Sequence, residues 1–175
     1  MRRVLLTGMS GTGKSTLVRE LIVRGYVAID TDYDGWSHWI DMRTGLPAPE
    51  PEPGEYKWDE LDWVWNEERI RSLLSSGSAD PLIVAGTSIN QAKFYPYFDR
   101  IVLLSAPASV LVERLATRDN NPYGSTPRTL SRVLEHIKTV EPLLRARADV
   151  EIDTSRPLDE VIEQVLQIVG PVSSS

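Results

Sequence analysis

Short unbroken apolar runs alternate in this chain with stretches where apolar positions return every three or four residues. The runs are Val4-Leu5-Leu6-Thr7, Tyr26-Val27-Ala28-Ile29, Leu82-Ile83-Val84-Ala85, Ile101-Val102-Leu103-Leu104 and, more weakly, Val150-Glu151-Ile152. Apolar on consecutive positions, they predict strands covered on both faces. The spaced patterns predict helices over 13–24, 60–76, 108–118, 129–140 and 158–169. In the first, Leu17, Val18, Leu21 and Ile22 form the apolar face and Gly25 is the left-handed cap. In the second, Leu61, Val64, Trp65, Leu73 and Leu74 fall at helical spacings, and the last carries Asp159 and Glu160 at its positive end. The segment from 33 to about 54, with PAPEPEPGE, reads as loop, as does DNNPYGSTP before the fourth helix.

Strands alternating with helices imply an α/β fold with a parallel sheet wrapped on both faces. Neither a repeat nor a linker divides the chain, so 1–170 is expected to be one domain and 171–175 a flexible tail. In such a sheet, ligands gather beyond the carboxyl ends of the strands. Residues 8–15, 30–32, 86–90, 105 and 153–156 should therefore share one edge.

Composition narrows the function classes. The 175 residues include 19 basic and 25 acidic ones, a net charge of −6, which offers no general attraction to nucleic acid or an anionic membrane. With no cysteine, disulfides, thiolate zinc sites and a cysteine nucleophile are excluded. The basic start MRRVLLTGMSG has too short an apolar run for a signal peptide, so a cytoplasmic protein is expected.

The loop after the first strand, GMSGTGKST, carries the chemistry. Gly8, Gly13, Lys14 and Ser15 satisfy G-x-x-x-x-G-K-[ST], with a strand before and a helix after, as the motif requires. Backbone N–H groups of Ser10, Gly11, Thr12, Gly13 and Thr16 can cradle phosphates at the helix's positive end, Lys14 can reach the β- and γ-phosphates, and the Ser15 hydroxyl can ligate Mg²⁺. No N-K-x-D or T-K-x-D motif is present, so ATP is expected rather than GTP.

What becomes of the γ-phosphate depends on the acids. The third strand ends in Ala-Gly-Thr and the fourth in Ser, so neither supplies a second metal carboxylate. Asp30 and Asp32 follow the second strand. One can hold a Mg²⁺-bound water while the other accepts a proton from an attacking hydroxyl; Asp32, further out, is the candidate base and Asp30 the group nearer the metal. The alternative is that D-T-D caps the following turn. Arg114 and Arg118, at i, i+4 before the glycine- and proline-rich loop, can stabilise charge on the migrating group; the alternative is a solvated basic face.

These parts together (GMSGTGKST, D-T-D after the second strand, AGT after the third, R-L-A-T-R followed by NPYG) make the chain resemble the small P-loop kinases of the adenylate, shikimate and gluconate kinase type. That resemblance implies a P-loop three-layer sandwich: a five-stranded parallel sheet in order 2-3-1-4-5, a substrate-binding insert over 33–71 and a lid over 114–132. It also matches Asp32 to the substrate-hydroxyl acid of shikimate-kinase-like enzymes and Arg114 and Arg118 to lid arginines. Residues 153–157 match the loop that cradles adenine, pointing to Asp153 and Arg156. GTSINQAKFYPYF over 86–98 and NPYG look most like bacterial nucleotide-kinase-like ATPases, where a lysine is expected after NPYG; Ser125 stands there instead.

The acceptor pocket is expected from Asp30, Asp32, Trp36, Arg43, Gly86, Thr87 and Asn90. All five tryptophans lie between 36 and 65, and residues 50–68 hold eight acids against Lys57 alone. A carboxylate or phosphate acceptor needs fixed cations, and only Arg43, Arg69 and Arg71 are near, so a neutral or cationic acceptor suits the insert better. The leading expectation is an ATP- and Mg²⁺-dependent phosphotransferase acting on a small molecule bearing a hydroxyl (nucleoside, nucleotide, shikimate- or sugar-like). An ATPase or nucleotide sensor is the second, and a polynucleotide end kinase the third. Oligomeric state is not legible.

Overall fold

The computed structural model describes residues 2–51, 57, 59–77, 80–117 and 123–172. In chain order the elements are β1 (Arg3–Thr7), α1 (Lys14–Val23), β2 (Val27–Asp30), β3 (Ser37–Asp41), β4 (Leu61–Trp65), α2 (Glu67–Ser75), β5 (Leu82–Ala85), a 3-10 helix (Gln91–Tyr97), β6 (Arg100–Ser105), α3 (Ala108–Thr117), α4 (Pro127–Thr139), α5 (Glu141–Arg145), β7 (Val150–Asp153) and α6 (Leu158–Val169).

Every pairing in the main sheet is parallel, in the order β2-β5-β1-β6-β7. Counted over those five strands alone, this is the expected 2-3-1-4-5. Adjacent residues of the central strand enter different layers: Val4 and Leu6 pack with Leu17 and Leu21 of α1 and Val165 of α6, and Leu5 packs with Trp65, Ile70 and Phe94. Burial on both faces is why its sequence is a continuous apolar run. β1 lies where the strand order reverses, so the loop leaving it opens into the crevice at the middle of the sheet edge.

Three expectations fail. The segment 60–76 is not one helix: Leu61–Trp65 is β4, antiparallel to β3, with Trp39 opposite Trp63 and Ser37 opposite Trp65. Leu61, Trp63 and Trp65 also recur at period two, and tryptophan and valine favour strands. The helix starts beyond Asn66, whose backbone is extended and whose side chain accepts the Arg69 N–H. β3 lies in the stretch read as loop; its partner is some twenty residues downstream, beyond the reach of local pattern. In α1, Ile22 is 51% exposed, so that helix buries Leu17, Val18 and Leu21 without it.

Candidate functional site

The loop between β1 and α1 is shaped by its own backbone. Gly13 stands at the N-cap with φ 89°, a left-handed conformation that suits glycine, and no side chain caps the helix. An N-cap without a side chain leaves the helix's positive end open to an anion. Thr12 turns inward and donates its hydroxyl to Met9 O (2.8 Å). The Lys14 ammonium, nearly buried, donates to Gly8 O (2.6 Å) and Met9 O (3.1 Å), which holds the loop arched. Thr87, beyond β5, accepts from the Gly8 N–H (3.1 Å) and donates to Gly8 O (2.8 Å), pinning the loop's first residue to the neighbouring strand end.

A cleft of about 410 Å³ opens over this loop. Residues 10–17 form its floor, Asp32 and Tyr33 one wall, and Arg114, Thr117, Thr154, Arg156, Leu158 and Val161 the other. Arg114 ties that second wall down: its guanidinium donates to Thr154 O (2.6 Å), Thr154 Oγ1 (3.2 Å) and Gly11 O (3.4 Å). Arg156 reaches Glu160 at 3.8 Å, and Asp153 points away, exposed, accepting the Ser155 N–H; the Ser155 hydrogen bonds hold its carboxyl below the usual range. Thr154, not Asp153, is the side chain turned inward, because alternate residues leaving a strand face opposite ways.

Asp30 and Asp32 take different positions. Asp30 Oδ1 accepts the Asp32 N–H (3.1 Å), so D-T-D does brace its own turn, while Asp32 lines the cleft. Asp30 Oδ2 is buried with no hydrogen-bond partner. A stripped carboxylate oxygen is costly unless a cation or its hydration shell compensates it, which suits Asp30 to a Mg²⁺-bound water, although Asp30 does not itself line the cleft in whose floor Ser15 lies. Among the described residues, no group of three or more acids, histidines or cysteines could hold a metal.

The remaining expected acceptor residues are scattered. Gly86 packs against Thr31, whose Oγ1 occupies the place a Cβ would take. Asn90 commits its amide to its surroundings: Oδ1 accepts the Trp65 N–H (3.0 Å) and the Ser88 hydroxyl (2.7 Å), and Nδ2 donates to Trp65 O (3.0 Å) and Glu67 Oε1 (3.3 Å). Trp36 lies beneath the Arg69 guanidinium, 4.2 Å from its ring centre, in a separate open groove with Glu68, Ser72 and Leu73. Arg43 follows β3 in an exposed turn whose backbone N–H groups are held by Asp41. Arg118 lies outside the described residues. Sequence reasoning placed Thr154 within the 153–156 edge without singling it out, and did not name Tyr33, Thr117, Leu158 or Val161 as cleft residues; Tyr33 and Thr117 could have been flagged only by their positions beside Asp32 and Arg114.

Comparison with known proteins agrees with this geometry. The family model described as an AAA domain matches residues 4–135. A shikimate kinase of Rhodopirellula baltica is 30% identical over 95% of this chain and 89% of its own length. The shikimate kinase from Acinetobacter baumannii, solved in complex with shikimate, superposes with a TM-score of 0.63 at 23% identity, covering 97% of this chain and 93% of that one. A gluconokinase from Sinorhizobium meliloti gives 0.54 at 20% identity, covering 95% and 90%.

Proposed function

This chain belongs to the AAA-domain family of P-loop proteins, within the adenylate, shikimate and gluconate kinase group, and is an ATP-dependent small-molecule kinase; from that premise we propose that it transfers the γ-phosphate of ATP to a hydroxyl, with Asp32 as the base. The observation that carries this is the position of Asp32: its carboxylate lines the same cleft as the phosphate loop, at the end of β2, and is backed by Asp30.

The Ser10–Thr16 N–H groups and Lys14 hold the triphosphate, Lys14 exchanging Gly8 O and Met9 O for phosphate oxygens. Ser15 and Asp30 are the residues that would hold Mg²⁺, Asp30 through water; the ion supplies charge neutralisation across the phosphates. Asp32 accepts the proton of the acceptor hydroxyl, whose oxygen bonds to the γ-phosphorus as the bond to the β-phosphate oxygen breaks and ADP departs. Arg114 keeps Thr154 and the far wall against the loop, and Arg156 stands beside it at the nucleotide end. Acceptor-dependent ADP release is the test. Turnover that is indifferent to added metabolites and survives Asp32→Asn would refute the mechanism and leave water as the acceptor.

A further inference from the structure

Two residues beyond Asp32 the backbone enters a conformation that side chains disfavour. Asp34 has φ 55°, and among the described residues it is the only non-glycine with a positive φ. Gly35 follows with φ 70°, and the Trp36 N–H closes the turn onto Tyr33 O (3.2 Å). Positive φ at both central positions makes this a type I′ turn, for which Asp-Gly is among the favoured pairs. A left-handed residue bearing a Cβ still carries a cost, and it persists where its surroundings hold it.

The hold comes from the start of α2. Arg69 donates to Asp34 O (2.7 Å), and its guanidinium lies over the Trp36 ring, 4.2 Å from the centre. The same group fills the space that Gly35 leaves, with Nη1 2.9 Å from the point a Cβ would occupy. The Asn66 N–H reaches Trp36 O (2.8 Å), and Asn66 Oδ1 accepts the Arg69 N–H (3.1 Å), so the helix cap and the clamp on the turn are joined.

The clamped turn continues the cleft wall. Asp32 and Tyr33 line the cleft immediately before it, and the Tyr33 N–H bonds back to Asp30 O (3.3 Å). At the other end, the Ser37 hydroxyl donates to Thr31 O (2.7 Å) in a buried bond. Residues 30–37 are thus fastened at their base by Ser37 and at their tip by Arg69. Arg69 does not line the cleft; it stands in the separate groove with Trp36, Glu68 and Ser72. A shift of the tip carries the Asp32 carboxylate with it, and a misplacement of about 1 Å at a reacting group costs on the order of a hundredfold in rate.

We propose that Arg69 is a positioning residue for phosphoryl transfer: through the Asp34-Gly35 turn it holds the Asp32 carboxylate where the acceptor hydroxyl must lie. This rests on the reading of Asp32 as the base.

The test uses the whole protein, radiolabelled γ-phosphate on ATP and a small-molecule cell extract as the source of acceptor, and compares wild type, Arg69→Met, Asp32→Asn and the double variant. Arg69→Met should lower the maximal rate of label transfer by about 10–100-fold, with KM for ATP and the nucleotide-induced rise in Tm unchanged. In the Asp32→Asn background the same substitution should change the rate by less than about twofold, because it acts through a group already removed. Gly35→Ala, which displaces the guanidinium without removing its charge, should reproduce both the loss and its dependence on Asp32. Equal losses from Arg69→Met in the two backgrounds overturn the inference and make the arginine a general support of the fold. A raised KM for the extract with the maximal rate kept overturns it too, and makes Arg69 an acceptor ligand. Both results leave the base reading standing. Label transfer undiminished in Asp32→Asn alone overturns the base reading and this inference with it. No labelled product from the wild-type protein overturns the kinase reading and both that rest on it.

Discussion

A carboxylate that braces its own turn is poorly placed to swing towards a substrate, which is why the proposed mechanism gives the base role to Asp32 and not to Asp30. Asp30 is tied through Oδ1 to the Asp32 N–H, while Asp32 opens onto the cleft. Removing the proposed base alone should therefore leave nucleotide binding in place. For Asp32→Asn we expect kcat to fall by about 10²–10⁴ with KM for ATP little changed, measured by acceptor-dependent ADP release. A comparable rise in KM for ATP with kcat intact would reassign Asp32 to binding. At this scale the phosphate loop was fully legible, because its motif encodes backbone geometry directly. Thr154 was not, since which of two adjacent loop residues faces inward depends on where β7 ends. Asn90 was expected at the acceptor pocket for a related reason: an amide at a sheet edge suits a ligand or a backbone equally, and here the backbone of the buried Trp65 bonds it.

Between β4 and α2 the chain changes period within one residue, and Asn66 marks the change. Helical and strand readings of Leu61–Trp65 are both supported by local spacing; pairing with β3 decides between them, and that pairing is non-local. The hairpin is anchored where Trp65, 1% exposed, packs 5.6 Å from Phe94 and lies under Gly86. Trp65→Ala should cost about 3–5 kcal/mol in denaturant unfolding, the range for deleting a buried aromatic ring. Asn66→Ala should cost about 0.5–2 kcal/mol through the lost cap, and a loss as large as that of Trp65→Ala would contradict a capping role. The parallel strands were readable because burial on both faces leaves an apolar run that needs no partner to recognise.

As a whole the molecule should respond to ligand and to acid in ways its site and charges fix. A nucleotide bound only by the folded protein, at a hundred times its Kd, adds about 2.7 kcal/mol, or roughly 5–10 °C in Tm for a domain of this size. Lys14→Ala should abolish that shift, and a shift of wild-type size in the variant would remove the loop from nucleotide binding. Burial, reinforced by Arg132, holds His136 below its usual 6.5, so the unfolded chain takes up that proton first. Stability from this residue is present above about pH 6.5 and lost as pH falls through it. Glu67, hydrogen-bonded by Lys93 and Asn90, and Glu151, hydrogen-bonded by Arg145, are held below their usual 4.5, adding a second loss under that pH. Tm should be level from pH 8 to 7, decline below 6.5 and fall faster below 4.5, with His136→Gln removing the first decline. A first decline unchanged in that variant would exclude His136 as its source. The arch closed by Lys14 has one more consequence, for covalent chemistry. The chain has four lysines, and Lys57, Lys93 and Lys138 stand exposed while the Lys14 amine is sunk on carbonyl oxygens. Amine-directed acylation should consume those three first, so an acylated or surface-immobilised preparation would keep Lys14 unmodified.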